Sequence, residues 1–296
     1  MADQKIVPHF WYDDEAMEAA EFYTNVFPDS RIISQSTLQD TPSGDAEEVS
    51  FELMGYRFMA ISAGPYFIKN PSISFLFMYT EDELPQIEKV WDQLVTDGKV
   101  LMAFGEHPFN EKYGWVEDKY GVSWQFFLSG GNHRARVLPT IMFINDNLGR
   151  AQSAMDFYMD VFKDTEDGGV MNYPEGMEPN LPSHVMHAGF KLENQWFSLM
   201  DSAEAHDFNF NEGISFLIKC RNQAEVDYYW EKLSAEPEAE QCGWLKDRFG
   251  LSWQVYPEVM KTMLEKGSKD QVKRVTEAFL KMKKFDIATL ESAYRE

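Results

Sequence analysis

The chain has 296 residues, of which 44% are hydrophobic, and a formal net charge of −22 at pH 7. This length suits two domains with packed cores, at roughly 100 to 200 residues each. So acidic a chain repels phosphates, which argues against nucleic acid or an anionic membrane surface as a partner. No stretch approaches the roughly 18 to 20 consecutive apolar residues of a membrane span, and the amino terminus lacks the layout of a signal peptide, so we expect a cytoplasmic protein.

The chain opens with a predicted strand followed by an amphipathic helix. The strand is the β-prone run from Ile6 to Tyr12, in which Pro8 suits an edge or an early position. Asp13 and Asp14 are placed to cap the helix. Apolar residues then recur at three- and four-residue steps, which indicates a helix with one buried face. These residues are Ala16, Ala19, Ala20, Tyr23, Val26 and Phe27.

Further strands and a second helix follow. Three β-prone runs lie around residues 32–33, 49–54 and 56–61, with a tight turn at Gly55 between the last two. Another strand begins at Ser72, a second amphipathic helix follows over residues 84–94, and three more strands fall at residues 100–104, 114–117 and 122–128. The order strand, helix and three strands therefore occurs twice by residue 128. Residues 40–47 and 164–183 are predicted loops, because both are rich in turn-forming and acidic residues.

The whole arrangement is written twice along the chain. The pairs Phe22-Tyr23 and Gly114-Trp115 return as Phe157-Tyr158 and Gly243-Trp244, and all repeated residues are offset by 129 to 141 positions. A period of this length is a domain duplication, since solenoid and propeller repeats span only about 20 to 50 residues. We therefore predict a first domain at residues 1–131, a second at residues 135–260, and a boundary in the polar linker at residues 129–134.

The C-terminal extension, residues 261–296, differs from the rest of the chain in charge. It has a net charge of +3, against −25 for the first 260 residues. Two amphipathic helices are predicted, and Asp286 is placed to cap the second. Such helices usually pack on their own protein; a dimer contact or a partner site is the alternative. Their apolar residues are Val272, Val275, Phe279 and Met282 in the first helix, and Ile287, Leu290 and Tyr294 in the second.

Two repeated motifs give a specific resemblance. The first is Phe-Tyr-x-x-Val-Phe at residues 22–27 and 157–162, and the second is Asp-x-x-Gly-x-Ser-Trp-Gln at residues 118–125 and 247–254. With the paired modules, they resemble the vicinal oxygen chelate superfamily, and within it the PhnB-like group, whose members are labelled 3-demethylubiquinone-9 3-methyltransferase-like. The resemblance covers about residues 5–260. It implies an α+β fold of two tandem domains, each with two βαβββ modules forming a cupped eight-stranded mixed sheet, plus a C-terminal helical tail.

The superfamily's enzymes hold a divalent metal inside the cup, with ligands from four strands, and this chain supplies few such ligands. Methionine, serine and glutamine are poor ligands for a hard divalent ion that must also bind substrate oxygens. We therefore expect no cofactor, and if a metal site exists it uses His9 and Gln125 in the first domain. The implied positions fall at or near His9, Met59, Ser72 and Gln125 in the first copy, and at or near Thr140, Ser198, Gly213 and Gln254 in the second.

Strand alternation predicts which residues line the cavity, because every second residue faces the same way. Core packing is the favoured role of Trp124 and Trp253; with the opposite parity, Trp124 and Phe75 would face the cavity. No catalytic residue is assigned. The predicted lining consists of His9, Trp11, Met59, Ser72, Ser74, Gln125, Phe127, Thr140 and Gln254.

Other chemistries find little support in the sequence. There is no Gly-x-Ser-x-Gly elbow, phosphate loop or paired-cysteine metal site, and no glycine-rich nucleotide turn that methyl transfer would need. Cys220 and Cys242 are predicted to be reduced thiols, because the first copy has no cysteines. His184 and His187 are predicted to be edge or surface residues, with metal binding as the less favoured alternative.

Two functional hypotheses remain. The preferred one is a small-molecule-binding protein with an enclosed cavity in each domain and no complete metal site. The alternative is a metal-dependent enzyme of the glyoxalase or dioxygenase type, a lyase, isomerase or oxygenase, with its active site in the first domain. The expected partner is a small organic ligand. The chain is expected to be a monomer that acts as an internal pseudo-dimer, with a homodimer as the alternative.

Overall fold

The computed structural model describes residues 4–131 and 135–296, except for the side chain of Asp40. The central residues of the predicted linker, 132–134, lie outside the described residues. The first copy contains β1 (Ile6–Tyr12), α1 (Ala16–Val26), β2 (Arg31–Thr41), β3 (Gly44–Leu53), β4 (Tyr56–Ser62), β5 (Ile73–Tyr79), α2 (Leu84–Leu94), β6 (Lys99–His107), β7 (Asn110–Glu117) and β8 (Ser123–Leu128).

The second copy repeats this order with one strand fewer, and a helical tail follows. The second copy contains β9 (Val137–Phe143), α3 (Ala151–Val161), β10 (Glu166–Asn172), β11 (Val185–Leu192), β12 (Gln195–Asp201), β13 (Ile214–Cys220), α4 (Gln223–Leu233), β14 (Trp244–Lys246) and β15 (Ser252–Pro257). The tail contains α5 (Glu258–Lys266), α6 (Lys269–Phe279) and α7 (Ile287–Arg295).

The strands form two mixed sheets, and each sheet takes one module from each copy. Sheet A has the order β14-β15-β13-β1-β4-β3-β2, and sheet B has the order β10-β11-β12-β9-β5-β8-β7-β6. At the junctions, β1 runs antiparallel to β13 with His9 opposite Ser215, and β5 runs antiparallel to β9 with Ser74 opposite Thr140. The predicted α+β class, the tandem modules and the helical tail are confirmed. The structure differs in how the modules are combined, because two modules that share a sheet come from different copies.

Modules of the same copy pack against each other through their apolar faces instead. In the first copy, the Phe10 ring of sheet A lies 5.3 Å from the Phe75 ring of sheet B, and Tyr23 of α1 lies 5.1 Å from Trp124. Trp124 is fully buried, and so is Trp253 at the same position of the second copy. The predicted core role of both tryptophans is confirmed.

Sheet A has seven strands because the fourth module is shorter than the others. Between α4 and β14 the chain forms only a short 3-10 turn, Pro237–Ala239, where the second module has β6. The tail lies beside this position, and the Gly243 N–H donates to the Lys283 carbonyl at 2.7 Å. Gly243 has a φ of +83°, and a Cβ at this position would collide with the Phe285 ring. The glycine therefore allows the tail to approach the edge of sheet A.

Three local predictions are corrected by tertiary contacts. Glu15, rather than Asp13 or Asp14, is the N-cap of α1, and no side chain caps the helix. The Ala16 N–H donates instead to the Ser62 hydroxyl of β4 at 3.0 Å. The predicted loop at residues 40–47 consists mostly of the ends of β2 and β3, and the one at 164–183 contains β10. Both segments are polar, yet each pairs with a neighbouring strand. A composition rich in turn-forming and acidic residues does not exclude such pairing.

The aspartates of the repeated terminal motif organise a buried turn in each copy. Asp247 is fully buried, and its Oδ1 accepts from the N–H groups of Phe249 and Leu251 at 2.8 and 3.1 Å. Its Oδ2 accepts from the Tyr158 hydroxyl at 2.8 Å and from Trp253 Nε1 at 2.9 Å. Asp118 repeats this arrangement in the first copy, accepting from the Tyr120 and Val122 N–H groups and from Trp124 Nε1. The two sequence motifs therefore meet in each core, at a buried carboxylate.

We expect Asp118 to titrate near pH 6 in the folded protein. Burial, the largest effect, raises its pKa from 3.8 to about 6, against the opposing hydrogen bond from Trp124. Because the folded state holds this proton more tightly, the group's contribution to the free energy of unfolding decreases as the pH rises from 3.8 to about 6. The NMR signal of the Trp124 indole N–H should shift with this midpoint, and the shift should vanish in Asp118→Asn. A midpoint at the ordinary aspartate value would contradict the expectation.

The tail packs on sheet A, as its apolar stripes predict. Asp286 caps α7 as predicted, accepting from the Thr289 N–H at 2.7 Å. Helix α5 was not predicted, and it follows directly on β15. None of the described helices is long and apolar enough to cross a membrane. The buried residues shared by tail and sheet are Val7, Met59, Leu217, Tyr256, Met260, Met263, Leu264, Val275, Phe279, Phe285 and Leu290.

Candidate functional site

Each sheet has one face in the core and one face turned away from it. We call the second face of sheet A the A face, and that of sheet B the B face. Strand alternation defines them: Phe10 of β1 is in the core, so His9 belongs to the A face, and Trp124 of β8 is in the core, so Gln125 belongs to the B face. The two faces are related by the duplication, and their central strands are β1, β4, β13 and β15 in sheet A, and β9, β12, β5 and β8 in sheet B.

The A face is covered by the tail. Tail helices pack against Val7 and Met59, two apolar A-face residues next to His9. The His9 side chain is consequently 2% exposed, and its Nδ1 has no hydrogen-bond partner among the described residues. Burial lowers the pKa of His9 to about 3, so the ring is neutral at physiological pH. Its edge contacts the Trp244 ring, with centroids 5.8 Å apart.

The floor of the B face is a chain of neutral hydrogen-bonding groups. The Tyr113 hydroxyl donates to Gln125 Oε1 at 2.7 Å, and Gln125 Nε2 donates to the Ser74 hydroxyl at 2.7 Å. Thr140 lies directly opposite Ser74 on β9, and Ser198 lies opposite Thr140 on β12. All five side chains are at least nine-tenths buried by the surrounding strands. The floor therefore offers hydroxyl and amide groups at fixed positions, and none of them carries a charge.

Apolar side chains surround this floor. Leu76, Tyr113 and Leu138 form a buried cluster on the B face. Partly exposed side chains extend it, and no residue of the tail contributes to it. The indole N–H of one of them, Trp115, donates to the Ser123 hydroxyl at 2.6 Å, which fixes the ring. The partly exposed members are Met78, Met102, Trp115, Phe127, Ala135 and Trp196.

His187 is a B-face residue that the sequence did not assign to the site. Its Nδ1 lies 3.1 Å from the Ser198 hydroxyl, so it stands at the edge of the polar floor. The residue remains exposed to solvent, yet the surrounding walls bury the ring enough to lower its pKa below 6.5. Strand alternation on β11 could have identified His187, because Gly189 pairs with Ser198 and His187 lies on the same face of β11 as Gly189. A neutral imidazole there can both donate and accept a hydrogen bond.

The structure divides the predicted lining between the two faces. His9 and Gln125, the two metal ligands proposed from the sequence, lie on different sheets and do not face one another. Ser72 precedes β5, and its backbone carbonyl accepts from the Met142 N–H at 2.8 Å. Of the other predicted residues, Trp11, Met59 and Gln254 belong to sheet A, and Ser74, Phe127 and Thr140 to sheet B.

Neither face supplies a ligand set that fits a hard divalent metal. Gln254 Nε2 donates to the Ser215 hydroxyl at 3.0 Å on the A face, as Gln125 does to Ser74 on the B face. Both amides therefore form hydrogen bonds between neighbouring strands of their sheet. Residues 4–131 and 135–296 contain no group of three His, Cys, Asp or Glu side chains placed to hold a metal. The central positions are His9, Met59, Ser215 and Gln254 on the A face, and Thr140, Ser198, Ser74 and Gln125 on the B face. These donors do not match the oxygen- and imidazole-rich sets that such ions require.

The repeated sequence matches a known protein family. The family described as 3-demethylubiquinone-9 3-methyltransferase matches residues 4–127 and 135–256, which are the two copies. The chain belongs to this family. A PhnB protein from Bacillus cereus that shares the family description is 35% identical, over 43% of this chain and 100% of that chain, with a TM-score of 0.39. The family is thus represented here by a tandem pair.

Structural similarity places this family member in a wider fold group. A glyoxalase I mutant from Zea mays superimposes with a TM-score of 0.57 over 88% of this chain and 97% of that chain, at 10% identity. At this identity the likeness shows the fold alone. A comparison with curated proteins gives no match. This member of the 3-demethylubiquinone-9 3-methyltransferase family therefore has the vicinal oxygen chelate fold in two tandem copies.

Proposed function

We propose that this protein binds a small, uncharged organic molecule on the B face and does not use a metal to do so. The observation that carries this proposal is the Gln125 amide, which is held between Tyr113 and Ser74 in a polar floor surrounded by apolar side chains. Ligand sites of proteins combine apolar and aromatic walls with a few fixed polar groups in this way. A neutral floor favours a neutral ligand, since a buried charge without a partner is costly.

The B face is the proposed site because the tail covers its counterpart. The A face has equivalent central strands, but Met260, Met263 and Leu264 pack over it. We therefore propose one open ligand site in the chain rather than one in each domain. It is built by β5 and β8 of the first copy together with β9 and β12 of the second.

The proposed ligand has a planar apolar part and one hydroxyl or carbonyl group. Trp115, Phe127 and Trp196 offer ring surfaces for the planar part. Ser198 and His187 offer the donor and acceptor for the polar group. Methyl transfer is not part of the proposal, because the described residues contain no parallel sheet with a glycine-rich turn at a helix start, on which nucleotide cofactors bind.

We expect 2-naphthol, a neutral aromatic alcohol, to bind the wild-type protein and quench its tryptophan fluorescence. Trp115→Leu removes a wall of the B face and should weaken binding by about tenfold, the usual effect of losing one aromatic contact. Trp244→Leu is the matched control, because Trp244 is the duplicated residue on the covered A face. Isothermal titration should give one site per chain. Equal weakening by both substitutions would contradict a B-face site.

The binding proposal and the metal-dependent alternative predict different metal contents. If the binding proposal is correct, protein purified without a histidine tag should contain no stoichiometric zinc, manganese, nickel or iron after dialysis. A metal retained at one equivalent per chain, and lost in His187→Ala or His9→Ala, would replace the binding proposal by the enzyme of the glyoxalase or dioxygenase type.

A further inference from the structure

A groove runs between the edge of sheet A and the tail. Its volume is about 760 Å³, and it lies between β2 and the helices α5 and α6. Residues 33–37 and Gln39 form one side, and Lys261, Leu264, Glu265 and Val272 form part of the other. This groove exists because the tail helices cover the middle of the A face without sealing against the edge strand. It is separate from the proposed B-face site, which lies on the other sheet.

A small polar cavity under α5 adjoins the groove. The cavity has a volume of about 10 Å³, which is room for a single water-sized group. Both the groove and the cavity are lined by Ser34, Ser36, Lys261, Leu264 and Glu265, so the two spaces adjoin. The inner end is lined by Glu48 and Ser50 of β3, with Met59 and Tyr256 beside them.

One polar group at the inner end lacks a protein partner, and a second has a single hydrogen bond. Ser50 is 3% exposed, and its hydroxyl has no hydrogen-bond partner among the described residues. The Glu48 carboxyl accepts one hydrogen bond, from the Ser36 hydroxyl at 3.2 Å, and forms no ion pair among the described residues. Native structures rarely leave a buried hydroxyl such as that of Ser50 unpaired. The inner cavity is thus one small donor group short of a satisfied arrangement.

We propose that the groove and cavity bind a small aliphatic primary amine. Its ammonium group fills the cavity, donating to the Glu48 carboxylate and the Ser50 hydroxyl, and its hydrocarbon chain lies along Leu264 and Val272. An ammonium group fits better than a hydroxyl, because it supplies several donors and adds a second positive charge beside the two carboxylates of Glu48 and Glu265. The chain's net charge of −22 favours a cationic ligand as well.

One lysine beside the cavity is shared by two carboxylates. Lys261 pairs with Glu265 at 3.6 Å on α5. Burial raises the pKa of Glu48, and the charge of Lys261 acts to lower it. Glu265 also lines the cavity and adds a second negative charge near Glu48. The cavity lining therefore has two carboxylates and one ammonium group, so it accommodates one more positive charge, while Lys269 lies in the groove outside it.

The test uses n-butylamine as the probe and 1-butanol as its uncharged equivalent of the same length. The full-length protein should bind one butylamine in isothermal titration and bind butanol at least tenfold more weakly, since a charge-assisted hydrogen bond is roughly twice as strong as a neutral one. Glu48→Gln should weaken butylamine binding by about tenfold, and Ser50→Ala by about threefold. Glu277→Gln is the control, because Glu277 is exposed on α6 and the same charge is removed there.

Several outcomes would overturn this proposal. Butanol binding as tightly as butylamine would show that charge is not recognised. Equal weakening by Glu48→Gln and Glu277→Gln would show only general attraction to an acidic protein. Saturable binding that survives Ser50→Ala and Glu48→Gln together would place the amine elsewhere, and the absence of any binding would remove the site. Binding of 2-naphthol should be unchanged by all three substitutions, so failure here is distinguishable from failure of the B-face site.

Discussion

Asp247→Leu should lower the free energy of unfolding by about 4 kcal/mol, because it removes the shared acceptor of several buried donors. Leucine has a similar size but accepts no hydrogen bonds. The N–H groups of Phe249 and Leu251, the Tyr158 hydroxyl and the Trp253 indole would lose their partner in a fully buried turn. Each donor left unpaired costs about 1 to 3 kcal/mol, and the carboxylate's own burial, which raises its pKa, offsets part of the loss.

The measurement is urea unfolding followed by tryptophan fluorescence. Asp247→Asn should lose about half as much, since it keeps one acceptor oxygen but presents an amide to the remaining donors. Asp146→Leu is a matched control at an exposed position of the same copy and should change stability by less than about 0.5 kcal/mol. If Asp247→Leu and Asp146→Leu have the same effect, the carboxylate does not organise the turn.

The turn around the buried Asp247 carboxylate contains some features that the sequence predicts and others that depend on the tertiary fold. The sequence favours core roles for Trp124 and Trp253 while leaving the strand parity open, and both are fully buried. The duplication marks Asp118 and Asp247 as equivalent residues. Their hydrogen bonds to a helix tyrosine far away in the chain, as for Tyr158, depend on the tertiary fold and leave no local pattern.

The exchange of modules between sheets could not be predicted from the sequence. Strand pairing at the junctions is made by backbone groups, and the residues that meet there, His9 with Ser215 and Ser74 with Thr140, have no pattern that selects one partner module over another. For this reason His9 and Gln125 could be recognised as central positions but not as positions of different sheets. The candidate site is consequently shared by both copies, and strand parity alone did not reveal this.

The sequence also does not predict that the tail covers the A face. The stripes of Val275 and Phe279 predict that the tail packs on its own protein, and it does. These stripes do not indicate which of the two related faces the tail covers. The tail follows directly on β15 of sheet A, which has no equivalent of β6 among the described residues, and Gly243 lets the Lys283 carbonyl reach this edge of the sheet.

Val275→Asp should release the tail from the A face while the two sheets remain folded. Val275 is fully buried in the cluster that joins the tail to the sheet, and an aspartate there has no partner. Burying an unpaired charge costs several kcal/mol, so undocking is the cheaper response for a segment at the end of the chain. Hydrogen exchange in α5, α6 and α7 should therefore increase by at least about tenfold, while exchange in β5 and β9 stays unchanged.

Ala288→Asp is the matched control, since it places the same new carboxylate at an exposed position of α7. His9 provides the second measurement, because its pKa of about 3 reflects burial. Tail release should return the NMR-measured pKa of His9 toward 6.5 in Val275→Asp and leave it low in Ala288→Asp. In the wild-type protein the sign is opposite to that of Asp118: the unfolded state binds the His9 proton more tightly, so this contribution to stability is full above pH 6.5 and is lost as the pH falls toward 3. A released tail with an unchanged His9 pKa would show that the sheet itself buries the ring, and that the tail is not the cover of the A face.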